Sequence, residues 1–396
     1  MNPCSPARRA PPPRVRAWCA VSVLALGVGG PSVAAAANLN VRGELGGEYD
    51  SNPGRVDEVP GNDNPSPTPS PGARGQLGLE GASALGSAGV LAGAVRVAGR
   101  AYAEPDAQRE RVAVLQGNLS LSQRLSRRNR LQASMGYYDA FQAEGRAARD
   151  FRSFAPTLLV ARDTSWGRLG LGGGYRHFVY KPSNLLTFGG PTASASYRYG
   201  WGPSQANLLA EGERDEDAPD WDVALFAQYE QRRFEGPRCV AGQICPPPGN
   251  APGRVDEFTS MGVALTRTSS FLLGAGASVQ INASNSYGDG LVRGLGHLEG
   301  TFLLPWDLSL SGRAELVWTR FTDAVSLRRD PISGLPVASI EDESRSTLRV
   351  EVLRPLSALV DVSARWIGYT NEFGGGTARY RRQTFLIQLG VSLDAL

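Results

Sequence analysis

"DLSLSGRAELVWTRF", residues 307–321, decides the fold. Leu308, Leu310, Ala314, Leu316 and Trp318 fall on one parity, with Gly312 among them. Asp307, Ser309, Ser311, Arg313, Glu315 and Thr319 fall on the other. Successive side chains of a strand point to opposite faces, so this alternation is an extended strand with one apolar and one wet face.

The pattern recurs along the chain. The polar parity carries Arg96 and Arg100 in 90–100, Arg293, His297 and Glu299 in 291–303, Arg349 and Glu351 in 347–353, and Asp361 and Arg365 in 356–366. A soluble sandwich alternates too, so the connections have to discriminate. Very short links, such as 126–129, 164–167, 268–270, 304–307 and 354–355, separate some strands. Longer polar ones, at 51–71, 142–149, 181–187, 234–253, 322–342 and 371–378, separate others. Short turns on one side and long loops on the other describe an antiparallel transmembrane β-barrel, with short periplasmic turns and long extracellular loops. No stretch after residue 40 is apolar and long enough for a membrane helix. A barrel does not need one, because it spans with strands of about 9–11 residues whose lipid face alone is apolar.

The chain opens with Arg8, Arg9, Arg14 and Arg16, then "AWCAVSVLALGVGG", then "PSVAAAA". That is the basic, apolar and small-residue succession of a cleaved secretory signal peptide over 1–37, which leaves 38–396 as one barrel exported to the outer membrane. The formal net charge is +3 and no basic block stands out, which argues against nucleic acid as a partner. Cys239 and Cys245, in "PRCVAGQICPPPG", read as a disulfide in an oxidising compartment.

Aromatic residues cluster where strands end. Trp166, Trp201 and Trp306 sit at short turns, and Tyr49, Tyr102, Tyr137, Tyr138, Tyr180 and Tyr369 lie towards the long loops. Two interfacial girdles need rings in these places. The alternation gives seventeen candidate strands, one of them at 204–214, and a barrel with both termini in the periplasm needs an even number. One strand between about 185 and 260 is therefore misassigned. The expectation is eighteen strands, with sixteen as second choice. Arg96, Arg100, Arg293, Glu299, Arg313, Glu315, Arg349, Glu351, Asp361 and Arg365 would then face a water-filled lumen.

The opening strand, "VRGELGGEYDSNPGR" at 41–55, resembles the first strand of large outer-membrane barrels of Gram-negative bacteria that carry a Tyr-Asp-Ser-Asn element before a long first loop. Some such barrels belong to polysaccharide-secretion systems. The resemblance implies a conduit for a secreted or capsular polysaccharide, fed by a periplasmic export protein, in contact with outer-membrane lipid and lipopolysaccharide. One departure is that the chain ends Asp394-Ala395-Leu396, without the customary terminal aromatic.

Little points to catalysis, and no enzyme activity, cofactor or metal is expected. The histidines are His177 and His297, and no nucleophile motif accompanies either. Asp57 and Glu58 beside "GNDN" (61–64) suit calcium or an acidic solvated loop, and "RRFEGPR" (232–238) suits lipopolysaccharide phosphate or a charged loop base. Besides polysaccharide export, two functions stay open. One is a general porin for small solutes, narrowed by the loop 234–253. The other is a structural or adhesive barrel displaying 51–71.

Overall fold

The computed structural model describes residues 37–53, 68–105, 107, 111–142, 150–181, 184–202, 220–240, 252–269, 271–323, 328–329, 336–337, 344–373 and 378–395. The first strands are β1 (Ala37–Asp50), β2 (Ser70–Leu85), β3 (Gly89–Tyr102), β4 (Val112–Arg124), β5 (Asn129–Gln142) and β6 (Phe151–Thr164). Then come β7 (Gly167–Tyr180), β8 (Phe188–Trp201), β9 (Trp221–Pro237), β10 (Gly253–Thr268), β11 (Phe271–Ser284), β12 (Leu291–Leu304) and β13 (Leu308–Phe321). A two-residue hairpin, β14 (Arg328–Arg329) with β15 (Pro336–Val337), precedes β16 (Ser344–Pro355), β17 (Val360–Phe373) and β18 (Ala378–Ala395). Leaving the hairpin aside, sixteen antiparallel strands pair with their neighbours and close into one barrel through β1 and β18.

The count is sixteen rather than eighteen. The segment 204–214 lies outside the described residues, and β8 pairs directly with β9, Trp201 opposite Trp221. The expected misassignment between about 185 and 260 falls there. Trp221 sits at the short-turn end, where its ring stacks on Trp201 with centroids 6.1 Å apart.

Alternation in the sequence becomes a partition of the wall. On β18, Ile387 is 67 % exposed and its neighbour Gln388 only 3 %. Side chains diverge on the convex side of a closed sheet and crowd together on the concave side, so exposed apolar rows mark the outside. Leu316 and Trp318 of the opening stretch belong to that outer face, with Leu45, Leu158, Leu171, Val263 and Leu389. Rows of exposed leucine, valine and tryptophan on a membrane-length wall suit hydrocarbon, which offers nothing to polar groups.

The Tyr-Asp-Ser-Asn element fastens the seam. Asp50 is fully buried and binds Arg382 of β18, whose Nε reaches Oδ2 at 2.9 Å, and the Tyr102 hydroxyl donates to the same oxygen at 2.7 Å. Ser51 N–H donates to the Gln383 carbonyl at 2.9 Å, and Asn52 Nδ2 to the Arg381 carbonyl at 3.2 Å. Removing one partner of a buried ion pair strands the other charge, at a cost of about 3–5 kcal/mol. Arg382→Met is therefore expected to lower markedly the temperature at which the folded band disappears on semi-native gels. Asp50→Asn combined with Arg382→Met should recover much of that loss.

Candidate transport lumen

Charged side chains of five strands, with amides from two more, form a belt of three paired groups across seven neighbouring strands of the concave face. Arg313 (β13) meets Glu315 at 2.5 Å and Glu299 (β12) at 3.3 Å. Glu351 (β16) takes Arg349 beside it and Arg365 (β17) at 2.7 Å. Asp361 (β17) pairs with Arg42 (β1) at 3.1 Å, and Arg42 also pairs with Glu44 at 2.7 Å. Glu44 then accepts from Gln76 (β2) at 2.5 Å and Gln388 (β18) at 3.1 Å. Arg313 and Arg349 stand opposite in register, an unfavourable juxtaposition that is relieved because each turns to its own carboxylate. The sequence-predicted lumen residues Glu299, Arg313, Glu315, Arg349, Glu351, Asp361 and Arg365 thus fall into three neighbouring paired groups on the inner face.

The other three stand apart from the belt. Arg293 donates to Thr319 at 3.0 Å, Arg100 lies over the Tyr102 ring at 5.5 Å, and Arg96 is exposed, opposite Gly78 and Gln116. His297 stands opposite Glu315, and its ring covers Gly276, where a Cβ would come within 2.3 Å of Cε1. His177 is exposed on the outer parity of β7. At the short-turn end the inner wall of β1–β4 carries mostly small or neutral side chains, with the carboxylates Glu80 and, from β18, Asp394 among them. A recess of about 590 Å³ opens there, lined by Asn38, Ala82, Ala92, Ala94, Asn118 and Ser120 among others.

At the long-loop end the lumen wall is aromatic, which the alternation did not reveal. Tyr138, Phe151, Phe178, Phe188 and Phe234, one from each of β5–β9, stack in sequence with centroids 5.0–5.2 Å apart. Arg232 lies over Phe188 at 5.1 Å, and Arg254 over Phe234 at 4.1 Å. A short 3-10 turn, Asn184–Leu186, places Leu186 on the Phe178, Tyr180 and Phe188 cluster, so this turn packs against the inner wall. Its fit depends on Gly236 of β9, where a Cβ would lie 2.5 Å from the Leu185 carbonyl oxygen.

Several aromatic assignments change accordingly. Tyr369 is not an interface residue: it stands opposite Arg382 on the lumen side, with Arg345 and Arg382 over its ring at 5.4 and 5.6 Å. Tyr102, Tyr138 and Tyr180 also face inward, because each falls on the polar parity of its strand. Tyr49 is exposed on the outer face, as are Trp166 and Trp201 at the short-turn end, and Trp306 projects from a turn. Tyr137 faces outward and donates to Asp139 at 3.0 Å. Cys239 is buried and disulfide-bonded, and Cys245 lies outside the described residues. So do Asp57, Glu58, the 61–64 segment and most of the 234–253 loop. Of the two arginines opening 232–238, Arg232 faces the lumen and Arg233 the outside.

No family model matches the chain, and no curated protein does. Similar solved structures include outer-membrane expressed OmpT of Vibrio cholerae, at 12 % identity and TM-score 0.44, covering 90 % of this chain and 98 % of that one. An anion-selective porin from Comamonas acidovorans has 9 % identity and TM-score 0.44, covering 91 % and 100 %. A bacterial polysaccharide outer membrane secretin has 11 % identity and TM-score 0.41, covering 90 % and 98 %. At these values the likeness carries no argument about activity, and the barrel assignment rests on the strand pairing itself.

Phe188 is the nearly buried fourth ring of the five-ring stack and a support of Leu186. Phe188→Ala is expected to cost about 3–5 kcal/mol and to loosen the packing of Leu186 and its turn. The measurable outcomes are a lower unfolding temperature and a higher or noisier single-channel current.

Proposed function

We propose that the protein is an outer-membrane conduit for hydrophilic, nearly uncharged cargo, and that this cargo is a secreted or capsular polysaccharide received from a periplasmic export protein. The observation that carries the reading is the self-paired charge belt. Five carboxylates (Glu44, Glu299, Glu315, Glu351 and Asp361) face four guanidiniums (Arg42, Arg313, Arg349 and Arg365) within ion-pair distance. A bore lined by one sign of charge focuses a field of several kT and selects ions. A bore whose charges cancel over a few ångströms offers many hydrogen-bonding points and little net potential. Partly exposed pairs of this kind are worth about 0–1 kcal/mol each, so sugar hydroxyls can exchange with them as a chain advances. The outer apolar face supports residence in the membrane, and nothing in this reading requires catalysis.

A second reading is a general porin for small solutes, favoured by the 184–186 turn, which packs on the inner wall through Leu186. Two experiments separate them. Deleting the gene should abolish one cell-surface or secreted polysaccharide while outer-membrane integrity holds; unchanged polysaccharide would leave the porin. In planar bilayers under a salt gradient, the wild type should give a reversal potential close to zero under either reading. Arg349→Glu with Arg365→Glu should move it clearly towards cation selectivity, and no movement would mean that the belt does not line the conducting path.

A further inference from the structure

The outer face of β6 is stratified along its length. From the short-turn end it reads Arg162, Val160, Leu158, Pro156, Phe154 and Arg152, with no charge between the two arginines. Arg152 and Arg162 are about ten residues apart, which at about 3.3 Å per residue and a tilt of about 40° is about 25 Å of membrane depth, the height of a barrel's apolar band. Arg152 therefore stands where hydrocarbon gives way to headgroups on the long-loop side.

Around it lies a polar cluster on the lipid-facing parity. Asp139 on β5 is 1 % exposed, although it belongs to the same outward row as Met135, Tyr137 and Phe141. It accepts from the Tyr137 hydroxyl at 3.0 Å, pairs with Arg152 at 3.0 Å and pairs with Lys181 at 2.6 Å. Lys181 is the chain's single lysine; its Nζ also donates to the Ala140 carbonyl at 2.9 Å and lies 3.9 Å from the centre of the Phe141 ring. One carboxylate thus holds two cations, which among the described residues of the cluster leaves one positive charge in excess. Arg152 directs Nε and Nη2 at the same Asp139 oxygen while its side chain stays 52 % exposed. Its Nη1 makes no hydrogen bond among the described residues. Exposed Phe141, Phe154 and Tyr175 flank the cluster with ring surface suited to acyl chains just below a headgroup.

We infer that Asp139, Arg152, Lys181 and Tyr137 form an outer-leaflet site for a phosphorylated lipid headgroup. Arg152 and Lys181 donate to a phosphate oxygen, and Asp139 fixes the two cations side by side, which costs little ordering on binding. A guanidinium and an ammonium on one phosphate combine geometric and charge recognition. The site is independent of what passes through the lumen.

The test is native mass spectrometry of the purified full-length barrel with lipid A, its dephosphorylated form and inorganic phosphate as probes. The wild type should retain lipid A, discriminate by about tenfold against the dephosphorylated lipid, and show no retention of inorganic phosphate, since charge-assisted hydrogen bonds contribute about 1.5–3 kcal/mol. Asp139→Asn with Arg152→Gln and Lys181→Gln removes the cluster's charge without stranding a carboxylate, and should lower retention by about the same factor. Arg162→Gln, at the other end of the same strand face, should leave it unchanged. Equal retention of both lipids by the wild type would overturn the proposal even if the triple variant fails to fold. Undiminished retention by the folded triple variant would overturn it as well.

Discussion

A sheet immersed in hydrocarbon cannot leave an edge unpaired, because each unsatisfied backbone group there costs several kcal/mol. Every other feature of this molecule depends on the closure that meets this constraint, the pairing of β1 with β18. Twelve residue pairs run from Leu39↔Ala395 to Asp50↔Thr384, so the two elements furthest apart in sequence are zipped along nearly their whole length. The zipper is tied at its long-loop end by Asp50 and Arg382 and extended past the strand by Ser51 and Asn52. Side-chain hydrogen bonds there supply what the turn supplies at every other strand pair, a fixed register.

Once closed, the wall reads the alternation as inside and outside, and the two faces solve different packing problems. Outside, the solvent is hydrocarbon and a leucine needs no partner. Inside, long charged side chains converge and have to find one another, which they do both along a strand, as Arg313 with Glu315, and across strands, as Arg365 with Glu351. Several lie flat over a neighbouring glycine, as His297 does over Gly276 and Asp361 over Gly390. Glycine on the inner parity is thus one half of a pair whose other half is a bulky polar group.

Most of this was legible in the sequence, because parity is a local property. The lumen assignments of Arg313, Glu315, Arg349, Glu351, Asp361 and Arg365 came from strands whose alternation is unbroken. Two kinds of feature were not legible. The segment 204–214 alternates like the strands, but the structure pairs β8 directly with β9, a neighbour relation that parity does not reveal. Near strand ends, residue type also misleads. Tyr369 looks like a girdle residue by its place, yet it shares the parity of Asp361 and Arg365 and turns inward to Arg382. The phenylalanine stack was missed for the same reason. Its rings come from five separate strands, each contributing one aromatic on the polar parity, so no single stretch announces them.

The distribution of bulk around the bore has a further consequence. Seven strands, from β12 through β18 and β1 to β2, carry the large paired side chains, while the short-turn half of β2–β4 carries Ala82, Ala92, Ala94, Asn118 and Ser120 beside the open recess. Among the described residues the inner wall is therefore uneven, bulkier on the side of the paired groups than beside the recess. A cargo that kept to the recess side would pass small side chains with Glu80 and Asp394 among them, and would have the paired groups on its other side.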